Sequence, residues 1–203
     1  MEKAADRPKA GLLFIGTERF RNMGKELAGG SYDDRKRKEA DRIRISMSSF
    51  ADVVFTEVIY DRTQLGGAME TFFHEHVDVV FAVFLSWAED FLWVRFLRDL
   101  YEVPLYAAQI VRDDLGFSDS LTEDGFIEFL SAGGLVGSLE ASGSSRRISR
   151  NMVRTKVGVL DDVLADFKSF ASAAHVRALL RASRFSILPG YNELMWSTYV
   201  DPY

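Results

Sequence analysis

What most restricts this chain is a set of short, continuous apolar runs, each about one strand long and each followed by a helical pattern. They are Gly11–Gly16 (GLLFIG), Asp52–Tyr60 (DVVFTEVIY), Asp78–Leu85 (DVVFAVFL) and Pro104–Ile110 (PLYAAQI). A strand that is apolar throughout, instead of alternately, must be covered on both faces. Arg184–Gly190 (RFSILPG) predicts a fifth strand and Lys156–Leu160 a minor extra one. Between the runs, apolar residues recur every three or four positions. Tyr32–Phe50 carries Ala40, Ile43, Met47 and Phe50 on a heavily charged background, with Asp33 and Asp34 where the helix dipole favours them. Gln64–His76 and Trp87–Tyr101 read as the next two helices. Thr122 predicts the N-cap of a helix over Glu123–Leu130. Asp161–Ala182 predicts a long helix with Val163, Phe167, Phe170 and Ala174 on one stripe. Ala141–Arg147 (ASGSSRR) reads as a loop or helix break.

Strands alternating with helices imply βαβ units and a mainly parallel sheet, and right-handed crossovers leave few topologies. The expectation is an α/β, doubly wound, flavodoxin/Rossmann-like sheet of order 2-1-3-4-5. Residues 1–10 form a polar lead-in and 11–203 a single domain. Ligands in such sheets bind beyond the carboxyl ends of the strands. Those ends are predicted at Gly16–Gly24, Tyr60–Gly67, Leu85–Asp90, Gln109–Gly116 and Pro189–Met195.

Composition narrows the partners. A net charge of −5 and a pI near 5.3 argue against a nucleic-acid partner. With no cysteine, disulfides and thiolate zinc sites are excluded. Met1–Ala10 has no apolar signal core, and no apolar run approaches the roughly 20 residues a membrane helix needs. A cytoplasmic protein without a membrane partner is expected.

The turn after the first strand, Gly16-Thr17-Glu18-Arg19-Phe20-Arg21-Asn22-Met23-Gly24, is neither GxGxxG nor a P-loop. It does put two arginines at a strand's carboxyl end, where they suit the adjacent oxygens of a ligand or, on the plainer reading, pair with a nearby glutamate at the surface. Leu85-Ser86-Trp87-Ala88-Glu89-Asp90 offers an aromatic face beside hydrogen-bonding groups. The plainer reading makes Trp87 and Trp93 core anchors, with Glu89 and Asp90 merely starting a helix. His74-Glu75-His76 would point to opposite sides of a helix and does not chelate one ion from there. His175 stands alone on its helix and reads as structural. Ser142–Arg147 reads either as an anion-binding segment or as a polar connection. With only three His and no convergent carboxylates, neither a metal site nor a catalytic residue is assigned.

Taken in order, the segments GLLFIGTERFRNMG, FLSWAEDFLWVRFLRDL, VPLYAAQI, GGLVGSLEASGSSRRISR and VGVLDDVLADFKSFASAAHVRALLRASRFSILPG resemble the L-fucose isomerase and L-arabinose isomerase superfamily. The resemblance runs over roughly residues 10–203 and rests on the order of loose motifs. It implies the N-terminal, sugar-contacting region of a metal-dependent aldose–ketose isomerase, with 184–203 leading toward a second domain. It further implies a sugar as substrate, a homo-oligomer, and manganese held by later parts of the protein. Carried over residue by residue, the substrate-binding positions are Glu18, Arg21, Trp87 and Gln109. Arg21 precedes Asn22-Met23-Gly24 much as the fucose-type pattern has Arg before Met-Gly. Glu18 stands where the arabinose-type pattern has Gln, which departs from arabinose specificity.

Two functions follow. One is a domain or fragment that supplies sugar contacts and subunit interfaces to an isomerase but is inactive alone. The other is a stand-alone, non-catalytic sugar-binding or interaction module on the same fold. A flavodoxin- or receiver-like role fits less well. The first turn is not a Ser/Thr-rich phosphate loop, and Asp61 is not placed as a receiver aspartate.

Overall fold

The structure, a computed structural model, describes residues 7–87, 90–112, 122–150 and 153–184. From β1 (Lys9–Ile15) the chain runs through a long turn to α1 (Tyr32–Met47), β2 (Asp52–Val54) and α2 (Arg62–His74). There follow β3 (Val79–Phe84), α3 (Asp90–Asp99), β4 (Leu105–Ile110), α4 (Glu123–Ser131), α5 (Gly134–Ile148), β5 (Val153–Gly158) and α6 (Leu160–Ala182). The five strands pair in parallel in the order β2-β1-β3-β4-β5. This is the doubly wound, flavodoxin-like order that the apolar runs imply.

Every residue of β3 is buried. Successive side chains leave a strand on opposite faces, so two layers must cover it. On one side Leu12, Phe14, Phe81 and Tyr106 meet α1 and α6 through Ala40, Ile43, Met47, Val163 and Phe167. On the other, Leu13, Ile15, Val80, Ala82 and Phe84 meet α2, α3 and α5. Phe167 centres the first core, with its ring centroid 4.8 Å from that of Phe81, 5.1 Å from Tyr106 and 6.1 Å from Phe50.

Local chemistry sets the helix starts. Ser31 and Asp34 cap α1 reciprocally, and Asp61 and Gln64 do the same for α2. The Asp61 cap explains why α2 begins at Arg62, two residues before the periodicity suggests. His76, at φ 52°, follows its end. Thr122 caps α4 as expected. At the amino-terminal edge, Asp78 Oδ2 accepts the Lys9 amide (2.8 Å) and pairs with His175 Nδ1 (2.8 Å), tying α6 to the first strand.

The structure differs from the sequence reading in three places. The second strand is short: the ladder ends at Val54 and the chain touches β1 again only where Ile59 bridges Ile15. The sheet's fifth strand is Val153–Gly158, earlier than the extra strand expected at 156–160. None of its residues is buried, and Val153 and Val157 are exposed, so it is not a doubly buried run. The strand expected at Arg184–Gly190 lies outside the described residues from 185 onward. Finally, Ala141–Arg147 is neither loop nor break but the second half of α5. Ser142 and Ser145 donate to the carbonyls of Leu139 and Ala141, so they cost the helix no unpaired groups. The backbone N–H groups there are spent within a helix, which removes the anion-binding reading of Ser142–Arg147.

Arg150, just after α5, is buried over the ring of Phe96, with Cζ 5.2 Å from its centroid. Its Nη2 donates to the Leu100 carbonyl (2.6 Å) and to that of Val103, tying the end of α3 to the approach to β5. Burial pushes its pKa down to about 10. Among the described residues no helix is long and apolar enough to cross a membrane.

Two measurements test this account. Phe167→Ala should lower the unfolding free energy by about 3–5 kcal/mol in urea titration. Asp34→Ala should cost about 1 kcal/mol at neutral pH through loss of the cap. Hydrogen bonds from Ser31 hold the Asp34 carboxyl below its usual range. A depressed carboxylate stabilises above the unfolded pKa and loses that effect as pH falls through the folded one. The difference between Asp34→Ala and the parent should therefore shrink as pH drops below the usual carboxylate range.

Candidate functional site

In this strand order the chain leaves β1 toward β2 and later returns to pair β3 on the other side. The connections therefore diverge between β1 and β3, and a crevice opens there at their carboxyl ends. The turn after β1 and the short segment after β3 form its walls. Glu18, Arg21 and Trp87 all come from these two segments.

The first turn divides the crevice. On the β2 side, the Arg21 guanidinium lies 4.9 Å from the Tyr60 ring centroid and Nη1 pairs with Glu18 Oε2 at 3.2 Å. Tyr60 Oη donates to Asp33 Oδ1 (2.8 Å), while Arg37 Nε donates to Asp33 Oδ2 (2.8 Å). Burial, with the Asp33 carboxylate beside it, pushes the Tyr60 phenol up, so it remains a donor. Arg21, Lys25, Ser31 and Asp33 line a polar depression of about 390 Å³ here. Its donors and acceptors interleave, which suits a polyhydroxylated ligand better than a simple anion.

On the β4 side the surface is apolar. Phe20 and Trp87 face Phe129 and Leu130 of α4 and Leu135 and Val136 of α5 across a depression of about 370 Å³. Trp87 is 40% exposed, and the Arg19 guanidinium lies 5.5 Å from its ring centroid. Two groups behind the surface hold Trp87 in place. The buried Tyr32 donates to Ser86 Oγ, and Ser86 donates to the Trp87 carbonyl at 3.1 Å. Burial pushes the Tyr32 phenol up. α5 also lies directly on this backbone: a Cβ at Gly137 would sit 2.4 Å from the Ser86 carbonyl oxygen, and one at Gly134 2.4 Å from that of Phe84. Only glycine permits so close an approach.

Gln109 is placed differently from its expected neighbours. It is 5% exposed and sealed beneath α5, where Oε1 accepts from Ser138 (2.7 Å) and Nε2 donates to the Ile110 carbonyl (3.2 Å). Arg21, Trp87 and Gln109 thus share the carboxyl edge, but Arg21 lines the polar depression, Trp87 the apolar one and Gln109 neither. Glu89 lies outside the described residues. Trp93 is a core anchor whose Nε1 donates to Ser145 at 2.7 Å.

A third cleft, of about 470 Å³, opens beyond β4 and β5 and is lined by Arg35, Lys38, Arg42 and Arg112 with Glu39 and Asp161. Beneath it Lys36 is only 1% exposed, with Nζ donating to Glu39 Oε2 (2.7 Å) and to the Ser131 carbonyl. Burial lowers its pKa, against the opposing pull of Glu39.

No family model matches the chain, and no curated protein matches it.

Among the described residues no group of three or more His, Asp or Glu could hold a metal ion. His74 faces Glu70 at 3.7 Å in an exposed pair. The described residues thus include no ligand set for the manganese that the resemblance implies.

Sequence reasoning missed Tyr32, Tyr60 and the glycines of α5. The signals were present. Ser31-x-x-Asp34 and Asp61-x-x-Gln64 are capping patterns that place an aromatic beside each helix start, and Gly134-x-x-Gly137 is a close-packing spacing. Gly137→Ala should force α5 off the Ser86 carbonyl and cost about 1–3 kcal/mol. Trp87 emission, isolated by difference against Trp87→Phe, should shift with it. Unchanged stability and emission would contradict the packing described.

Proposed function

We propose that this chain is the sugar-contacting domain of an aldose–ketose isomerase of the L-fucose/L-arabinose type. The observation that carries the reading is the pairing, at the divergence point of the sheet, of a polar depression at Arg21 with the exposed face of Trp87. An open-chain sugar lying across the first turn meets both. The indole covers its C–H side, while Arg21, Glu18 and Asp33 exchange hydrogen bonds with its hydroxyls. Tyr60, held protonated, fixes Asp33 as an acceptor. In this reading the domain binds and orients. The transfer of hydrogen between C1 and C2, and the manganese that assists it, belong to another part of the protein or to a neighbouring subunit in a homo-oligomer. Gln109 contributes by supporting α5 behind Trp87 and makes no contact of its own.

Because the crevice is open, affinity should be weak, with Kd about millimolar. Titration with L-fucose and L-arabinose should quench Trp87 fluorescence saturably. Followed by ligand-observed NMR, which does not need the indole, Arg21→Ala and Trp87→Ala should each weaken binding by about fivefold or more, since each removes about 1 kcal/mol or more of contact. The chain alone, supplied with manganese, should not interconvert aldose and ketose. Binding that neither substitution alters, or turnover by the chain alone, would refute the assignment.

A further inference from the structure

We propose that the outer face of α5 is a self-complementary surface, on which two copies of the chain pair about a two-fold axis midway between Leu139 and Gly143. α5 carries small residues on two opposite sides. Gly134, Gly137 and Ala141 lie against the sheet, the glycines under carbonyls that leave no room for a side chain. On the far side Val136, Leu139 and Gly143 recur at spacings of three and four and form an exposed stripe. Leu139 stands 64% exposed on it. At Gly143 an added Cβ would meet nothing within 4 Å. Only proline suits a helix interior less than glycine does. The packing that requires Gly134 and Gly137 does not require Gly143.

Leu139 is thus a knob, and Gly143, one turn further on, is a notch. A knob and a notch on one stripe are matched by the same stripe run in reverse. An antiparallel two-fold contact seats Leu139 of each copy at Gly143 of the other, where the missing side chain lets the backbones approach. The ends of the helix fit the same reversal. Arg146 and Arg147, in the last turn of one copy, come to the Val136 end of the other, beside the depression that Trp87 lines. Their stems cover apolar surface there, and a guanidinium can lie over an aromatic ring. The area points to a second copy as well. Trp87, Phe126, Leu135, Val136 and Leu139 together leave roughly 500 Å² exposed. Buried on both copies, this removes about 1,000 Å², the lower bound for a specific interface. The pairing rests on this surface alone and holds whatever the crevice binds.

Sedimentation velocity on the full chain tests the proposal without a ligand. Between about 1 and 500 μM the chain should pass from monomer to dimer, with a Kd on the order of tens of micromolar. Leu139→Lys, a change at an exposed side chain, should weaken association by about tenfold or more and leave thermal unfolding of the dilute monomer unchanged. Gly143→Leu distinguishes a notch from a glycine that merely faces solvent. It should also weaken association by about tenfold or more, while the better helix former raises the melting temperature of the monomer. A chain that stays monomeric over this range would overturn the proposal. So would a dimer that either substitution leaves as tight as the parent.

Discussion

Burial of β3 on both faces is the constraint on which the rest of the molecule depends. A strand with no polar face cannot sit at the surface of a sheet, so helices must arrive on both sides. They do so by different means. α6 covers one face with large rings centred on Phe167, and α5 covers the other by bringing its backbone almost into contact. Bulk on one side and the absence of side chains on the other set the sheet's depth within the fold. They also set the height at which Ser86 and Trp87 emerge from it.

The fold was legible because its information is local and repeated. Four apolar runs and the helical stripes of α1 and α6 each carry their own period, and a parallel order follows from their alternation. What escaped was written in weaker terms. β5 alternates Val153, Thr155 and Val157 with Arg154 and Lys156 and buries none of them, and so lacked the continuous apolar signature. The serines and glycines of α5 resemble a loop by composition. They form a helix that lays Gly134 and Gly137 against carbonyls with no room for a side chain and puts Ala141 in the core. Tertiary context there overrides propensity.

The site was partly legible for the same reason. That Glu18, Arg21 and Trp87 border one crevice follows from the strand order alone. Whether neighbouring residues on a turn share a surface does not, because it depends on which way the turn folds. Here the first turn stands as a ridge, with charge on one flank and aromatic surface on the other. Gln109 shows the converse limit: its strand position placed it at the carboxyl edge, but only the helix above it decided that it would be covered.

The contact between Asp78 and His175 joins residues 97 positions apart and reaches the first strand through the Lys9 amide. It binds the beginning of the described chain to its end. During synthesis β1 and β3 emerge long before α6, and until α6 arrives the Phe81 and Tyr106 rings lack their contacts with Phe167. The nascent domain must therefore carry these aromatic rings without that cover until α6 is made. α6, the last helix among the described residues, acts as a closing step of a vectorial assembly, so trimming the chain within it would cost the fold far more than the loss of one surface helix suggests.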